Sequence, residues 1–364
     1  MAVTIREVAR EAAVSQATAA RALGGYGYVG AESRRRVLSA ARSMGYLPNN
    51  AARTLASGTS NLIGFVTADI GNCFFASASR GLADVVEEHG YTLIVANSDE
   101  TLARERSAVD SLRANRVNGL VVAPANSHDV RHLVEAAETG LPIVLLDRTV
   151  RGLAVDSVVS DGRAGATKAV EHLLELGHRR IGIVADSAEA PMSSITERVR
   201  GWADTLRRAG IVPSESLTAI AQLPLQDGFE ATIELLGRPV RPSALLTTSN
   251  RMTSGALRAV RELGIEIPTD LSLVAFDDFE VLDLFSPPVT AVAQPEHQLG
   301  GEAGRLLLAR MQGDSAKPRR LRLSTELIVR ASTARLRQRP QPARPVGAAA
   351  LSKMAAFRAA AAGS

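Results

Sequence analysis

From residue 62 onward, apolar runs of strand length alternate with helix-length stretches that are charged on one side. The runs fall at 62–66, 92–96, 119–123 and 142–146, then in a second series at 180–184, 244–248 and 271–276. Continuous apolar runs mark strands buried on both faces, and their alternation with helices predicts parallel sheets covered by helices. Two series predict two Rossmann-like α/β lobes of similar size. In such sheets ligands bind beyond the carboxyl ends of the strands. That rule singles out Asp69, Asp147, Asp161, Asn250 and Asp277.

The first sixty residues have a different period. Ile5, Val8, Ala9, Val14, Ala19, Ala22, Leu23, Val37, Leu38, Ala41 and Leu47 recur at helical spacing and predict three short helices on a small core of their own. Thr4, with Glu7 three residues on, reads as a capping box for the first helix, which ends near Glu11. Ser15 suits the N-cap of the second, after a turn at Ala12-Ala13-Val14 where glycine would be easier than Ala13. This layout is a helix-turn-helix. A second helix that opens with small polar residues fits the major groove of DNA and presents side chains to base edges.

Charge supports that reading. Residues 1–60 hold eight arginines and three acids, and residues 331–364 hold six basic residues and no acid. With a net charge of +4 for the whole, the stretch between them carries about −7. A basic end on an acidic body favours polyanion binding at that end. An arginine-rich helix can equally be a solvated face, and the helix-turn-helix pattern decides for DNA. At 364 residues the chain can bury more than one core. Its one cysteine, Cys73, excludes an internal disulfide and suits a reducing compartment. The N-terminus shows no charged-then-apolar signal, and no apolar run reaches about 18 residues, so a cytoplasmic protein with no membrane partner is expected.

The succession of Thr4 to Leu23, Gly45-Tyr46-Leu47-Pro48-Asn49 with Ala52-Arg53-Thr54-Leu55, Ile63-Gly64, Asn72-Cys73-Phe74-Phe75, Gly177-His178-Arg179-Arg180-Ile181, Pro268 and Phe276-Asp277-Asp278 resembles the LacI/GalR family of transcription regulators. The resemblance covers about residues 3–333. It implies a helix-turn-helix DNA-binding domain at 1–48, a hinge helix and linker at 49–60, and a two-lobed periplasmic-binding-protein-like core at 61–333. The first lobe would take about 61–160 plus 291–320, and the second about 161–290 plus 321–333. A homodimer is implied, with a tetramer left open, acting as a repressor on double-stranded operator DNA. A small metabolite, a sugar or sugar derivative, would control it from between the lobes, lobe closure changing the spacing of the hinge helices. No cofactor, metal or catalytic residue belongs to that picture. A solute-binding protein or an α/β enzyme on the same core is the alternative; the helical head argues against the first, and a glycine fingerprint that follows a helix instead of a strand argues against the second.

By the family's pattern Gln16, Ala17, Thr18 and Arg21 face the major groove. Arg21 suits bidentate readout of a guanine or, alternatively, a phosphate contact or an intradomain ion pair. Gln16 suits an adenine or a phosphate, and Ala17 offers only apolar contact. Thr4 and Ser15 suit phosphates, while Tyr26 and Tyr28 would shape the loop beside the DNA backbone. Ala19-Ala20 stand where the family usually carries Val-Ser. Asn49 or Asn50 would cap a short hinge helix through Ala52, Arg53 and Leu55, too short to persist without a partner. The resemblance implies that two such helices pair in the minor groove and that Leu55 wedges into the central base step. The plain alternative is an interdomain linker.

The same pattern assigns the effector clamp to Asp69, Phe74, Phe75, Asp147, Arg148, Asp161, Arg198, Asn250, Asp277 and Gln294. Carboxylates and amides suit a polyhydroxylated ligand, because each hydroxyl both donates and accepts. Each acid could instead be a helix cap or an interlobe ion pair. Three departures bear on the ligand. Cys73 stands where proline is usual, Arg251 where an acid is common, and Leu223 where an aromatic platform occurs. Arg251 suits an anionic group such as a phosphate or carboxylate.

Some patterns mislead. Gly25-Tyr26-Gly27-Tyr28-Val29-Gly30 matches the dinucleotide fingerprint but follows a helix, so the phosphate-cradling geometry is missing. His128-Asp129-Val130-Arg131-His132 mimics a two-histidine zinc helix on a segment that reads as a surface helix without a third ligand. His172 and His178 flank a helix end and its Gly177 cap. Residues 334–364, rich in Pro and Ala and basic, read as a disordered tail.

Overall fold

The computed structural model describes residues 3–24, 27–46, 60–187, 192–222 and 228–336. Asn49, Ala52, Arg53 and Leu55 of the expected hinge, together with Tyr26, Leu47, Leu223 and the tail from 337 on, lie outside the described residues.

The head consists of α1 (Ile5–Glu11), α2 (Gln16–Gly24) and α3 (Ala31–Ser43). The Glu7 carboxylate accepts from the Thr4 amide at 2.7 Å and the Thr4 hydroxyl at 2.9 Å, closing the first turn of α1. Those bonds hold the Glu7 carboxyl below the ordinary carboxylate range. Ser15 Oγ accepts from the Thr18 amide at 3.1 Å and starts α2. Between the two helices Ala13 takes φ +50°, a left-handed conformation that costs an alanine more than a glycine. Val8, Ala9, Ala12, Ala19, Ala22, Val37, Ala40 and Ala41 form the core. Leu38, expected inside, is 38 % exposed, because Val37, Ala40 and Ala41 already fill the inward stripe of α3.

The core opens with β1 (Leu62–Thr67), α4 (Cys73–Glu88), β2 (Thr92–Asn97), α5 (Leu102–Ala114), β3 (Gly119–Val122), α6 (Arg131–Glu138), β4 (Ile143–Leu146) and β5 (Asp156–Ser160). It continues with α7 (Gly162–Glu175), β6 (Ile181–Ser187), α8 (Ser193–Arg208), β7 (Thr218–Gln222), α9 (Phe229–Gly237), β8 (Ala244–Thr247), α10 (Asn250–Glu262) and β9 (Ser272–Phe276). It closes with α11 (Val281–Leu284), β10 (Thr290–Ala293), α12 (Glu296–Met311), β11 (Arg320–Leu323) and β12 (Glu326–Ile328). One six-stranded sheet runs β11-β5-β4-β3-β1-β2 and the other β12-β10-β9-β8-β6-β7. Only β12 is antiparallel to its neighbour among the pairs with defined register. The central strands β3, β4, β8 and β9 are buried along their whole length, as runs without alternation require.

The chain therefore passes between lobes three times, after β5, after β10 and after β11. The second and third passages differ from the sequence boundaries. Residues 291–293, expected in the first lobe, pair with β9 and β12 in the second, and residues 321–323, expected in the second, pair with β5 in the first. The physical reason is backbone hydrogen bonding: a strand belongs to the sheet whose ladder it completes. In the first lobe α4 and α12 approach so closely that a Cβ on Gly81 would lie 1.9 Å from the His297 carbonyl oxygen, and one on Gly300 1.8 Å from that of Ala78.

Candidate functional site

Two regions gather polar side chains. On the head, Ser15, Gln16, Ala17 and Arg21 are exposed on the first turns of α2, and Thr18 is half-buried with its hydroxyl 2.8 Å from that of Ser15. Arg21 Nε donates to the Ala17 carbonyl at 3.3 Å, and its stem runs so close to Gly27 that a Cβ there would sit 3.1 Å from Arg21 Cδ. The guanidinium therefore stands on the outer face of α2 and has no carboxylate partner among the described residues. Tyr28 is 90 % exposed in the loop before α3. Of the glycine pattern, the described part, residues 27–30, leads into α3, and Gly30 is its cap residue.

In the core, the strand ends of both sheets line one cleft. The first lobe contributes Asp69 beyond β1, Glu100 beyond β2, and Asp147 with Arg148 beyond β4. The second contributes Asp186 in β6, Ser249 beyond β8, Asp277 beyond β9 and Gln294 beyond β10. Phe74 and Phe75, at the start of α4, form an edge-to-face pair with centroids 5.0 Å apart, and Met192 and Ile195 add apolar surface on the other lobe. Asp147 and Asp277 occupy matching places in the two lobes. Each directly follows a buried strand, each takes a left-handed backbone (φ +65° and +74°), and each amide bonds to the next strand, at Val158 and Val292. Non-glycine residues held in that region cost of order 1–3 kcal/mol and concentrate at functional sites.

Two buried guanidinium groups organise the cleft. Arg148 forks onto Glu100 at 2.6 and 2.7 Å and donates to the Pro124 carbonyl at 2.9 Å. Burial alone would lower its pKa, yet the Glu100 and Asp147 carboxylates hold it above the ordinary arginine value. Arg198 donates to the Thr248 carbonyl at 2.6 Å, lies 4.0 Å over the Phe276 ring and stands 4.0 Å from Asp277. Asp277 accepts from the Gln294 amide at 2.5 Å and from the Asn250 backbone at 3.1 Å. Asp186 accepts from Thr248 at 2.8 Å and Ser249 at 3.1 Å, both hydroxyls. Burial pushes both aspartates up, against the pull of Arg198 and those hydrogen bonds. Beside them Glu296, the first residue of α12, is pushed up to about 7 by burial and by Asp277 and Asp278.

The lobes touch across the cleft. Asn250 Nδ2 donates to Asn72 Oδ1 at 2.8 Å and to Cys73 Sγ at 3.2 Å, Arg251 pairs with Asp69 at 3.6 Å, and Ser194 donates to Asp147 at 3.3 Å. Some buried polar atoms stay unmatched. Arg148 Nε, Arg198 Nε and Asn250 Oδ1 have no hydrogen-bond partner among the described residues.

Of the clamp residues named from sequence, Asp69, Phe74, Phe75, Asp147, Arg148, Arg198, Asp277 and Gln294 line this cleft. Asn250 sits at its lip, bridging to Asn72 and Cys73 instead. Asp161 does not line it. Its carboxylate accepts from the Ala164 amide at 3.0 Å, capping α7, and faces Arg322 at 3.4 Å. A residue that ends β5 one position before a helix has an orphan amide to satisfy, and a cap does that. The histidine pair is also corrected. His128 precedes α6, whereas His132 is buried within it and meets Glu105 at 2.7 Å, so the two do not share a surface helix. Sequence reasoning passed over Glu100, Asp186 and Ser249, which the strand-end rule could have found. Met192, Ser194 and Ile195 carry no comparable signal.

Residues 4–49 match the family model "Bacterial regulatory proteins, lacI family", and residues 170–333 match "Periplasmic binding protein-like domain". The HTH-type transcriptional repressor CytR of Escherichia coli (strain K12) is 32 % identical over 91 % of this chain and 96 % of its own length. The chain belongs to the LacI family. Among solved structures, the lac repressor dimer bound to operator and the anti-inducer ONPF is similar over 92 % of this chain and 100 % of its own, with 29 % identity and a TM-score of 0.80. The CelR–cellobiose complex, likewise described as a transcriptional regulator, is similar over 91 % and 99 %, with 29 % identity and a TM-score of 0.69. This LacI-family chain is thus a DNA-binding transcriptional regulator, with a helix-turn-helix head joined to a two-lobed receptor core. No helix among the described residues is long and apolar enough to cross a membrane.

Proposed function

We propose that the chain is a cytoplasmic, homodimeric repressor without catalytic activity, whose operator affinity is set by a sugar-like metabolite held in the interlobe cleft. The observation that carries this reading is the pair of unmatched buried polar atoms there, Arg148 Nε and Arg198 Nε, set among the aspartates at strand ends. Unsatisfied buried groups cost free energy, and a ligand bearing several hydroxyls offsets that cost by donating and accepting at once. Because Asp147 and Arg148 belong to one lobe and Asp277 and Arg198 to the other, such a ligand binds best when the lobes are closed. On the head, Gln16, Ala17, Thr18 and Arg21 would read bases, Thr4, Ser15 and Tyr28 would meet the backbone, and Asn49, Ala52, Arg53 and Leu55 would act in the minor groove.

Fluorescence anisotropy of the full chain on promoter fragments, against bulk genomic competitor and with a panel of sugars, tests the proposal. Selective binding to one fragment that a sugar strengthens or weakens at least tenfold is the expected result. Indifference to both sequence and sugar refutes it.

A further inference from the structure

The charge in the cleft is unbalanced. Among the described residues its wall holds five carboxylates, Asp69, Glu100, Asp147, Asp186 and Asp277, against three guanidinium groups, Arg148, Arg198 and Arg251. Arg251 is committed to Asp69 at the rim, 3.6 Å away. Each deeper arginine is shared between two acids. Arg148 is forked onto Glu100, and its Nε stands 3.4 Å from Asp147 without a hydrogen bond. Arg198 lies 4.0 Å from Asp277 and also acts on Asp186, whose carboxylate accepts from two hydroxyls and has no ion-pair partner within 4 Å among the described residues. Asp147, Asp186 and Asp277 are 7, 8 and 3 % exposed, so water does not compensate them. A buried carboxylate without its own cation is costly to ionise, which is why burial pushes Asp186 and Asp277 up, and a bound cation lowers that cost and favours their charged form.

The unmatched atoms complete the description. Arg148 Nε and Arg198 Nε, both in lining residues, need acceptors. A neutral polyol could meet the atoms but not the charge. A phosphate or carboxylate would meet the two arginines while adding to the surplus. We propose that the effector is a polyhydroxylated amine of the amino-sugar class, its ammonium facing Asp147 and Asp186 and its hydroxyls meeting the two guanidinium groups. This rests on the cleft being the effector site and names the ligand's charge.

Matched probes that differ only in charge test it on the full chain by thermal shift and calorimetry. D-Glucosamine and D-galactosamine are compared with glucose and galactose, with their N-acetyl forms and with gluconate. Tris, compared with pentaerythritol, gives a pair without stereochemistry. At least one amine is expected to bind tenfold or more tightly than its neutral partner, with gluconate weakest, and Asp186→Asn or Asp147→Asn is expected to reduce that preference to threefold or less. The wild-type comparison needs no variant to fold. Equal or tighter binding of neutral or anionic partners overturns the proposal and leaves a sugar receptor standing. Absence of any shift with every amine also overturns it, while selective operator binding, measured separately, speaks to the reading beneath.

Discussion

Replacing Arg198 by methionine removes the buried guanidinium that the second lobe sets beside Asp277, at nearly constant side-chain volume. The wild-type guanidinium donates to Thr248, covers the Phe276 ring and faces Asp277 at 4.0 Å, with its side chain only 5 % exposed. Removing one partner of a buried pair costs about 3–5 kcal/mol, because the remaining charge is left uncompensated. For a lobe of this size about 4 kcal/mol lowers the melting temperature by roughly 8–16 °C. The loss depends on pH in a defined sense. Asp186 and Asp277 already have folded-state pKa values raised above those of the unfolded chain, and removing Arg198 raises them further. Their penalty is full above the folded pKa and disappears as the pH falls toward the unfolded value near 4. Glu296, beside Asp277 and itself pushed up by burial, titrates in the same sense. The gap between wild type and Arg198→Met is therefore widest at pH 8 and narrows toward pH 5. Scanning calorimetry of both proteins at the two pH values checks this. A gap under about 3 °C at pH 8, or one that does not change with pH, would refute the charge argument.

Three further outcomes are expected. Arg21→Ala should weaken binding to the preferred promoter fragment by about 1–3 kcal/mol while changing random-DNA binding much less, and equal losses in competition anisotropy would reassign Arg21 to phosphate. Ala13→Gly should stabilise the head by up to about 1 kcal/mol, since it relieves φ +50° at an exposed position, and hydrogen exchange of α1 and α2 amides reads the gain. Asp161→Ala should cost about 1 kcal/mol of stability in urea, as loss of an N-cap does, with effector affinity unchanged. A tenfold affinity loss would return Asp161 to the clamp.

The fold was legible where burial on both faces makes strands continuous apolar runs, as in β3, β4, β8 and β9. It was less legible at β11, where Arg320 and Arg322 alternate with Leu321 and Leu323, an edge-strand pattern that does not say which sheet it joins. The lobe boundaries moved for that reason. In the cleft, Asp147 and Asp277 could be read because they end apolar runs. Asp161 satisfies the same rule, and only the helix one residue later makes it a cap. Met192, Ser194 and Ile195 open α8, and a helix start does not announce which cavity it faces. The surplus of carboxylate was invisible because charge balance is a property of neighbours in space.

The threefold passage of the chain between lobes has a consequence for synthesis. The first sheet receives its edge strand from residues 320–323 and the second from 326–328, whereas their neighbours β5 and β10 were made earlier, β5 by more than one hundred and fifty residues. A chain cut off before residue 320 would hold two lobes with open flanks, one lacking a β5 neighbour and the other a β10 neighbour. Both flanks are thus closed by one stretch of nine residues, 320–328, so the two halves of the receptor are completed almost together.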